Sequence, residues 1–157
     1  MTADCERAAE VRAWLTRAAA DVRAAEHDQT AMPPLAGDSV FHAQQAIEKC
    51  LKAFLTSHDR RFRKTHDLVE LGQGCVEVDR SLEDVLREAA PMTEYAWRYR
   101  YPGDVEEPMA EEVEEALKSA SAPPVAFSAP PRATCRARSP LPARARSPRR
   151  RAGPGVQ

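Results

Sequence analysis

The stretch FHAQQAIEKCLKAFLTSHDRRFRKTHD, residues 41–67, decides how this chain is read. Its first half contains no Gly or Pro. Val40, Ala43, Ile47, Cys50, Leu51 and Phe54 recur at three- and four-residue steps, the spacing of one apolar stripe on a helix. Gln44, Glu48 and Lys52 fall four residues apart and form a second, polar stripe, with Gln45 and Lys49 beside it. Glu48 precedes Lys52 in the favourable order for an intrahelical ion pair, which on a surface contributes only ~0.2–0.5 kcal/mol. A helix this apolar, with amides and charges confined to a strip, is expected at the centre of a bundle.

The flanking sequence supplies partners for it. Val11, Trp14, Leu15, Ala18, Val22 and Ala25 predict a first helix over about 5–27, ended by Pro33 and Pro34. Asp38 or Ser39 is the expected cap of the central helix, which should end near His58. Arg60, Arg61, Arg63 and Lys64 then make a basic loop. Thr65 is placed to cap a third helix carrying Leu68, Val69, Leu71, Cys75 and Val76, which Gly72 and Gly74 should weaken or break. A fourth helix opens at Ser81, with Leu82, Val85, Leu86, Ala89, Met92, Tyr95 and Tyr99 inward and Pro91 kinking it or ending it early. After a turn at 98–104, a fifth helix spans about 107–119, with Met109, Val113, Ala116 and Leu117 inward and an acidic outer face. No strand pattern occurs, so the expected fold is an all-α, four- to five-helix up-and-down bundle over residues 1–119.

Residues 120–157 differ in kind. They hold eight Arg and eight of the 13 Pro but no Asp, Glu or Lys. Of the 23 Lys and Arg, 15 therefore remain in the body against all 24 acidic residues, so a body of about −9 adjoins a tail of about +8 behind a net charge of −1. Val125, Phe127, Leu141 and Val156 are too sparse to offset the entropy of ordering this segment by itself, and disorder is expected. Its arginines suit either an RNA-attracting arm or an unselected, GC-rich extension. The N-terminus is not secretory in pattern, and no apolar run approaches a bilayer's width. Cys5, Cys50, Cys75 and Cys135 show no paired spacing, so neither a zinc site nor a disulfide framework is suggested. Cytoplasmic residence without a metal or cofactor is the expectation.

FHAQQAIEKCLKAFL, then KTHDLVEL, then TEYAWRYRYPGD closely resemble, in order, the motifs of prokaryotic HEPN domains. The resemblance covers about residues 7–119 and implies a small, dimeric helical bundle. Its HAQQ-containing branch implies a partner of a minimal nucleotidyltransferase, in a toxin–antitoxin-like pair, with binding of nucleotide or RNA. Many HEPN members are instead metal-independent ribonucleases in which an arginine precedes a histidine by four to six residues late in the bundle. Here that region holds Arg98 and Arg100, and no His follows His66. The resemblance therefore leans away from an enzyme and implies no catalytic residue.

Two arginines on an aromatic turn suit a phosphate and a stacked base, so Arg98, Arg100 and Tyr101 are the first binding candidates. Lys49, Lys52, Lys64 and His66 are candidates for a facing wall. Each has a plainer reading. The Gln44–Lys49 cluster also fits inter-helix hydrogen bonding or a dimer seam, and His66-Asp67 also fits the start of a helix. His42 reads as a satisfied bundle histidine, and the five-residue Arg61–His66 spacing as an accident of a basic loop. Two alternatives to the binding module stand: a divergent ribonuclease using Arg98 or Arg100, and a helical scaffold with no ligand site.

Overall fold

The computed structural model describes residues 3–102 and 106–121. The tail expected from 120 onward lies outside the described residues beyond 121. Among the described residues there are five α-helices and no strand: α1 (Ala3–Asp28), α2 (Ala36–Ser57), α3 (Leu68–Val78), α4 (Glu83–Ala89) and α5 (Ala110–Ser121). Short 3-10 segments, Arg80–Leu82 and Ala90–Ala96, flank α4. Among the described residues the fold is an all-α bundle, as the apolar periodicity predicts.

α2 is the axis of the bundle. It packs along α1 most extensively and also touches α3, the 90–96 segment and α5. Val40, Ala43, Leu51, Phe54 and Leu55 are buried to 3% exposure or less, beside Leu71, Cys75, Val113 and Ala116 from the other helices. The alanines of α1 let the two longest helices approach closely. Ser39 exploits that approach: its hydroxyl donates to the Ala25 carbonyl at 2.8 Å and is wholly buried.

This use of Ser39 corrects the expected cap. The residue before α2 is Leu35, without a side-chain cap. The Gly37 N–H in the first turn instead donates to Glu107 Oε2 at 3.2 Å, a carboxylate brought from 70 residues away. At the other end, Asp59 N–H reaches Thr56 O at 3.1 Å and Arg60 N–H reaches Leu55 O at 2.9 Å. Asp59 takes φ +53° there, filling the left-handed position that closes a helix and that glycine usually occupies.

α3 is capped by Asp67, whose Oδ1 accepts from Val69 N–H at 2.8 Å and Glu70 N–H at 3.3 Å. Thr65, the expected cap, instead accepts the Asp67 N–H at 3.1 Å. α3 also runs unbroken through its glycines. A Cβ on Gly74 would stand 3.3 Å from Leu55 Cδ2, and one on Gly72 3.6 Å from Leu86, so packing against two leucines outweighs the local cost of glycine. Pro91 acts as anticipated: α4 stops at Ala89 and the chain tightens into a 3-10 segment. Asp79, rather than Ser81, organises the entry to α4 by accepting the Ser81 N–H at 2.9 Å. Two inward assignments fail, since Met109 is 65% and Val85 43% exposed. Met109 precedes α5, so the helical period does not govern its direction.

Cys50 and Cys75 are free and buried, and burial pushes their thiols up to about 11 and about 12. Cys5 is disulfide-bonded, against the expectation of no disulfide. Distance along the sequence does not reveal which Cα atoms meet in space. No helix among the described residues is long and apolar enough to cross a membrane.

Candidate functional site

The polar strip of α2 is not on the surface. Gln44 is fully buried, Glu48 is 2% exposed and Lys52 is 7% exposed. Glu48 is the hub. Its Oε1 accepts from Lys52 Nζ at 2.6 Å, while Oε2 accepts from Gln45 Nε2 at 3.1 Å and lies 3.0 Å from His66 Nδ1. Gln44 Nε2 stands 3.3 Å from the same oxygen and donates to the His66 carbonyl at 3.1 Å. Burial opposes charge on Glu48 most strongly. The hydrogen bonds and charges of Lys52 and His66 nevertheless hold its carboxyl below the ordinary range.

A second set lies a quarter-turn around α2. Asp21 of α1 accepts from Lys49 and lies 3.2 Å from His42 Nδ1, and Lys49 also reaches Gln45 Oε1 at 3.3 Å. His42 is thus a paired bundle histidine. Lys49 and Lys52 both spend their charge on carboxylates, and Lys52 also stands 5.5 Å from the Trp14 ring centroid.

His66 is held differently. Its side chain is 69% exposed although its partner carboxylate is 3% exposed. Nδ1 is fixed by Glu48, and Nε2 has no hydrogen bond among the described residues. The loop carrying it is anchored on both sides. Phe62 packs edge-on to Trp14 with centroids 6.5 Å apart, Arg60 pairs with Glu77, and Arg63 makes two 2.9 Å bonds to Glu70. Arg61 and Lys64 are exposed and make no ion pair among the described residues.

The arginines of the aromatic turn part company. Arg98 pairs with Glu94 at 3.1 Å and lies 5.3 Å from the Tyr99 ring. Arg100 stacks 4.0 Å over Phe41 of α2 and makes no ion pair among the described residues. Tyr95 is buried, and burial pushes its hydroxyl up to about 12. Trp97 and Tyr101 stand out at 50% and 73% exposure.

Helical geometry brings two of these groups together. Phe41 and Glu48 are seven residues apart, about two turns, so they share a face of α2 about 10 Å apart. Arg100 therefore rests over Phe41 and His66 beside Glu48, the hub of the strip. Sequence reasoning missed the role of Phe41 as a platform for Arg100 and of Asp21 as a sink for Lys49, since both contacts join residues distant along the chain. Among the described residues no cluster of His, Cys, Asp or Glu is arranged to hold a metal ion.

The HEPN domain family model matches residues 11–122, the region that builds this bundle and its polar strip. Comparison with curated proteins and with solved structures gives no match. A match over most of the chain, on an all-α bundle of this order, places the protein in a family: it belongs to the HEPN domain family.

Proposed function

We propose that this HEPN domain is a binding module for a phosphate-bearing ligand, a nucleotide or short RNA, held at the surface by Arg100 and His66, and that it serves as the partner of a minimal nucleotidyltransferase in a toxin–antitoxin-like pair. The observation that carries the ligand reading is Arg100. It is an arginine with no acidic partner among the described residues, held over Phe41 on the face that presents His66. A guanidinium offers a rigid fork of donors to a phosphate and stays charged at any working pH. Trp97 and Tyr101, exposed beside it, suit base stacking. Their supports on α2, Phe41 and Glu48, stand two helical turns apart, which suits a ligand longer than one phosphate.

The partner role rests on the family and on the HAQQ motif at residues 42–45, and a homodimer accords with both. One observation favours a second reading. A histidine whose Nδ1 is fixed by a buried carboxylate and whose Nε2 faces solvent is built as a general acid–base usually is. On that reading His66 would cleave RNA, assisted by Arg61 rather than by a late histidine.

The test is titration of the full chain with labelled nucleotide and with short labelled RNA at two salt concentrations. Arg100→Ala is expected to weaken binding by about tenfold or more, the loss of a charge-assisted hydrogen bond of ~1.5–3 kcal/mol. Arg98→Ala should cost less, because Glu94 already competes for that guanidinium. Arg61→Ala with Arg63→Ala should mainly reduce the salt-dependent background. Equal effects from all three would mean diffuse electrostatics, and no binding at all would favour a scaffold. Cleavage lost in His66→Ala would establish the second reading.

A further inference from the structure

Pro91 shapes a second concave feature, away from the polar strip. Because α4 stops at Ala89 and the chain tightens into the 90–96 segment, this arm and α5 each rest on α2 without packing extensively on each other. Between them lies a cleft of about 530 Å³, within the ~300–1,000 Å³ range of ligand pockets. Its floor is Ile47, Leu51, Leu86 and Met92, all at most 9% exposed. Val85, the α4 residue that fails to turn inward, lines the same cleft. The rim is acidic: Glu88, Glu112 and Glu115 stand there with a single basic residue, Lys118. Glu112 is half-buried and held in place, its Oε2 accepting from the Met109 N–H at 2.8 Å. The remaining wall is Tyr95, 8% exposed, whose hydroxyl makes no hydrogen bond among the described residues. Buried polar groups are ordinarily paired, so cleft water or a ligand has to satisfy that hydroxyl. Burial and the negative charge of Glu112 push it up to about 12, which leaves it a neutral phenol at any working pH.

We infer that this cleft binds a small organic ammonium ion, a protonated amine carried on an apolar body. The body lies on the floor of Ile47, Leu51 and Met92, and the charged nitrogen is held by the Tyr95 hydroxyl and the carboxylates of Glu112 and Glu115. Each alternative occupant leaves part of the cleft unsatisfied. A phosphate or other anion meets three carboxylates and is repelled. A purely apolar molecule would seal the Tyr95 hydroxyl and the Glu112 carboxylate from water without giving either a partner, which costs their full desolvation. An inorganic cation would make no use of the apolar floor. An ammonium on an apolar body answers all three features, because its N–H groups donate both to carboxylates and to the lone pairs of a phenol oxygen. Glu112 and Glu115 are three residues apart on α5 and so share a face, which sets two carboxylates on one side of the nitrogen. The cleft shares no residue with the Arg100 and His66 site, so the inference is independent of the phosphate-binding reading.

The test follows the methionine methyl resonances of the isotopically labelled full chain during titration with 2-phenylethylammonium. Met92 lies on the cleft floor, while Met32 and Met109 are exposed at 94% and 65% and serve as references. The expected result is a saturable shift of Met92 with the references unmoved. 3-Phenylpropionate, which carries the same ring on an anion, should leave Met92 in place. Butane-1,4-diammonium, which has the charge without the ring, should bind far more weakly. Tyr95→Phe removes only a hydroxyl with no internal hydrogen bond, so the fold is kept, and affinity should fall about tenfold, as the loss of a hydrogen bond to a charged group does. Glu112→Gln retains an acceptor for the Met109 N–H and should weaken binding several-fold. Arg100→Ala should leave the titration unchanged, so this reading and the phosphate-binding one stand or fall separately. A Met92 methyl indifferent to 2-phenylethylammonium would overturn the inference. So would an equal response to 3-phenylpropionate, which would show an apolar trap without charge selection, or an affinity untouched by Tyr95→Phe.

Discussion

On one side of α2, Ile47, Leu51 and Phe54 meet apolar neighbours, and their contribution is set by area removed from water. On the other side, Glu48 and Lys52 are almost as deeply buried, yet their contribution depends wholly on having each other. The difference teaches where this fold is tolerant. An apolar contact degrades gradually as volume is lost. A buried carboxylate whose cation is removed is left charged in a medium that does not solvate it.

The largest expected effect follows from breaking that arrangement. Glu48→Ala strands Lys52 beside Trp14 and should cost about 3–5 kcal/mol in chemical denaturation, far above the surface-pair value read from the spacing alone. Replacing both members, Glu48→Leu with Lys52→Met, should cost less than either single change. If the double variant cost the sum of the singles, the two residues would be acting independently and the contrast between the faces would fail.

Acid should expose the same hub. The Glu48 carboxyl is held below its ordinary value near 4.5. Its contribution to stability is therefore fully present above that ordinary value and is lost as pH falls through the lower folded value. Glu48→Gln should flatten this acid-side slope, measured as denaturation midpoint against pH. An unchanged slope would assign the acid sensitivity elsewhere.

Smaller still is the expected effect of His66→Ala. Its ring is mostly exposed, so losing its bond to Glu48 should cost about 1 kcal/mol or less, while ligand affinity falls several-fold. A loss of stability equal to that of Glu48→Ala would make His66 a structural clamp. At the far end of the series, Arg63→Ala should leave the melting temperature unchanged, since its two bonds to Glu70 are made in open solvent.

The apolar stripes of α1 and α2 and the break at Pro91 were legible because periodicity and proline chemistry are local. The Ser39 and Thr65 caps were misread for a different reason. Each hydroxyl had two uses, and the choice depended on Ala25 in one case and the neighbouring Asp67 in the other. Glycines 72 and 74 looked like breaks because Leu86 and Leu55, which need the room, are distant in sequence. At the candidate site the residue types were visible: Arg98, Arg100, Lys49, Lys52 and His66 all stood out. The Glu48–Lys52 pair was visible too, from its four-residue spacing. The Asp21 partner of Lys49, the Glu48 partner of His66 and the Phe41 platform of Arg100 were not, because only the tertiary fold assigns them.

The most direct test of the binding face is the imidazole nitrogen spectrum of the histidine-labelled full chain during titration with nucleotide or short RNA. The four histidines are His27, His42, His58 and His66. The expected result is that His66 moves with ligand while His27 and His58 stay fixed, and that Arg100→Ala abolishes the movement. Ligand that binds without moving His66, or that moves it equally in Arg100→Ala, would contradict a site shared by Arg100 and His66.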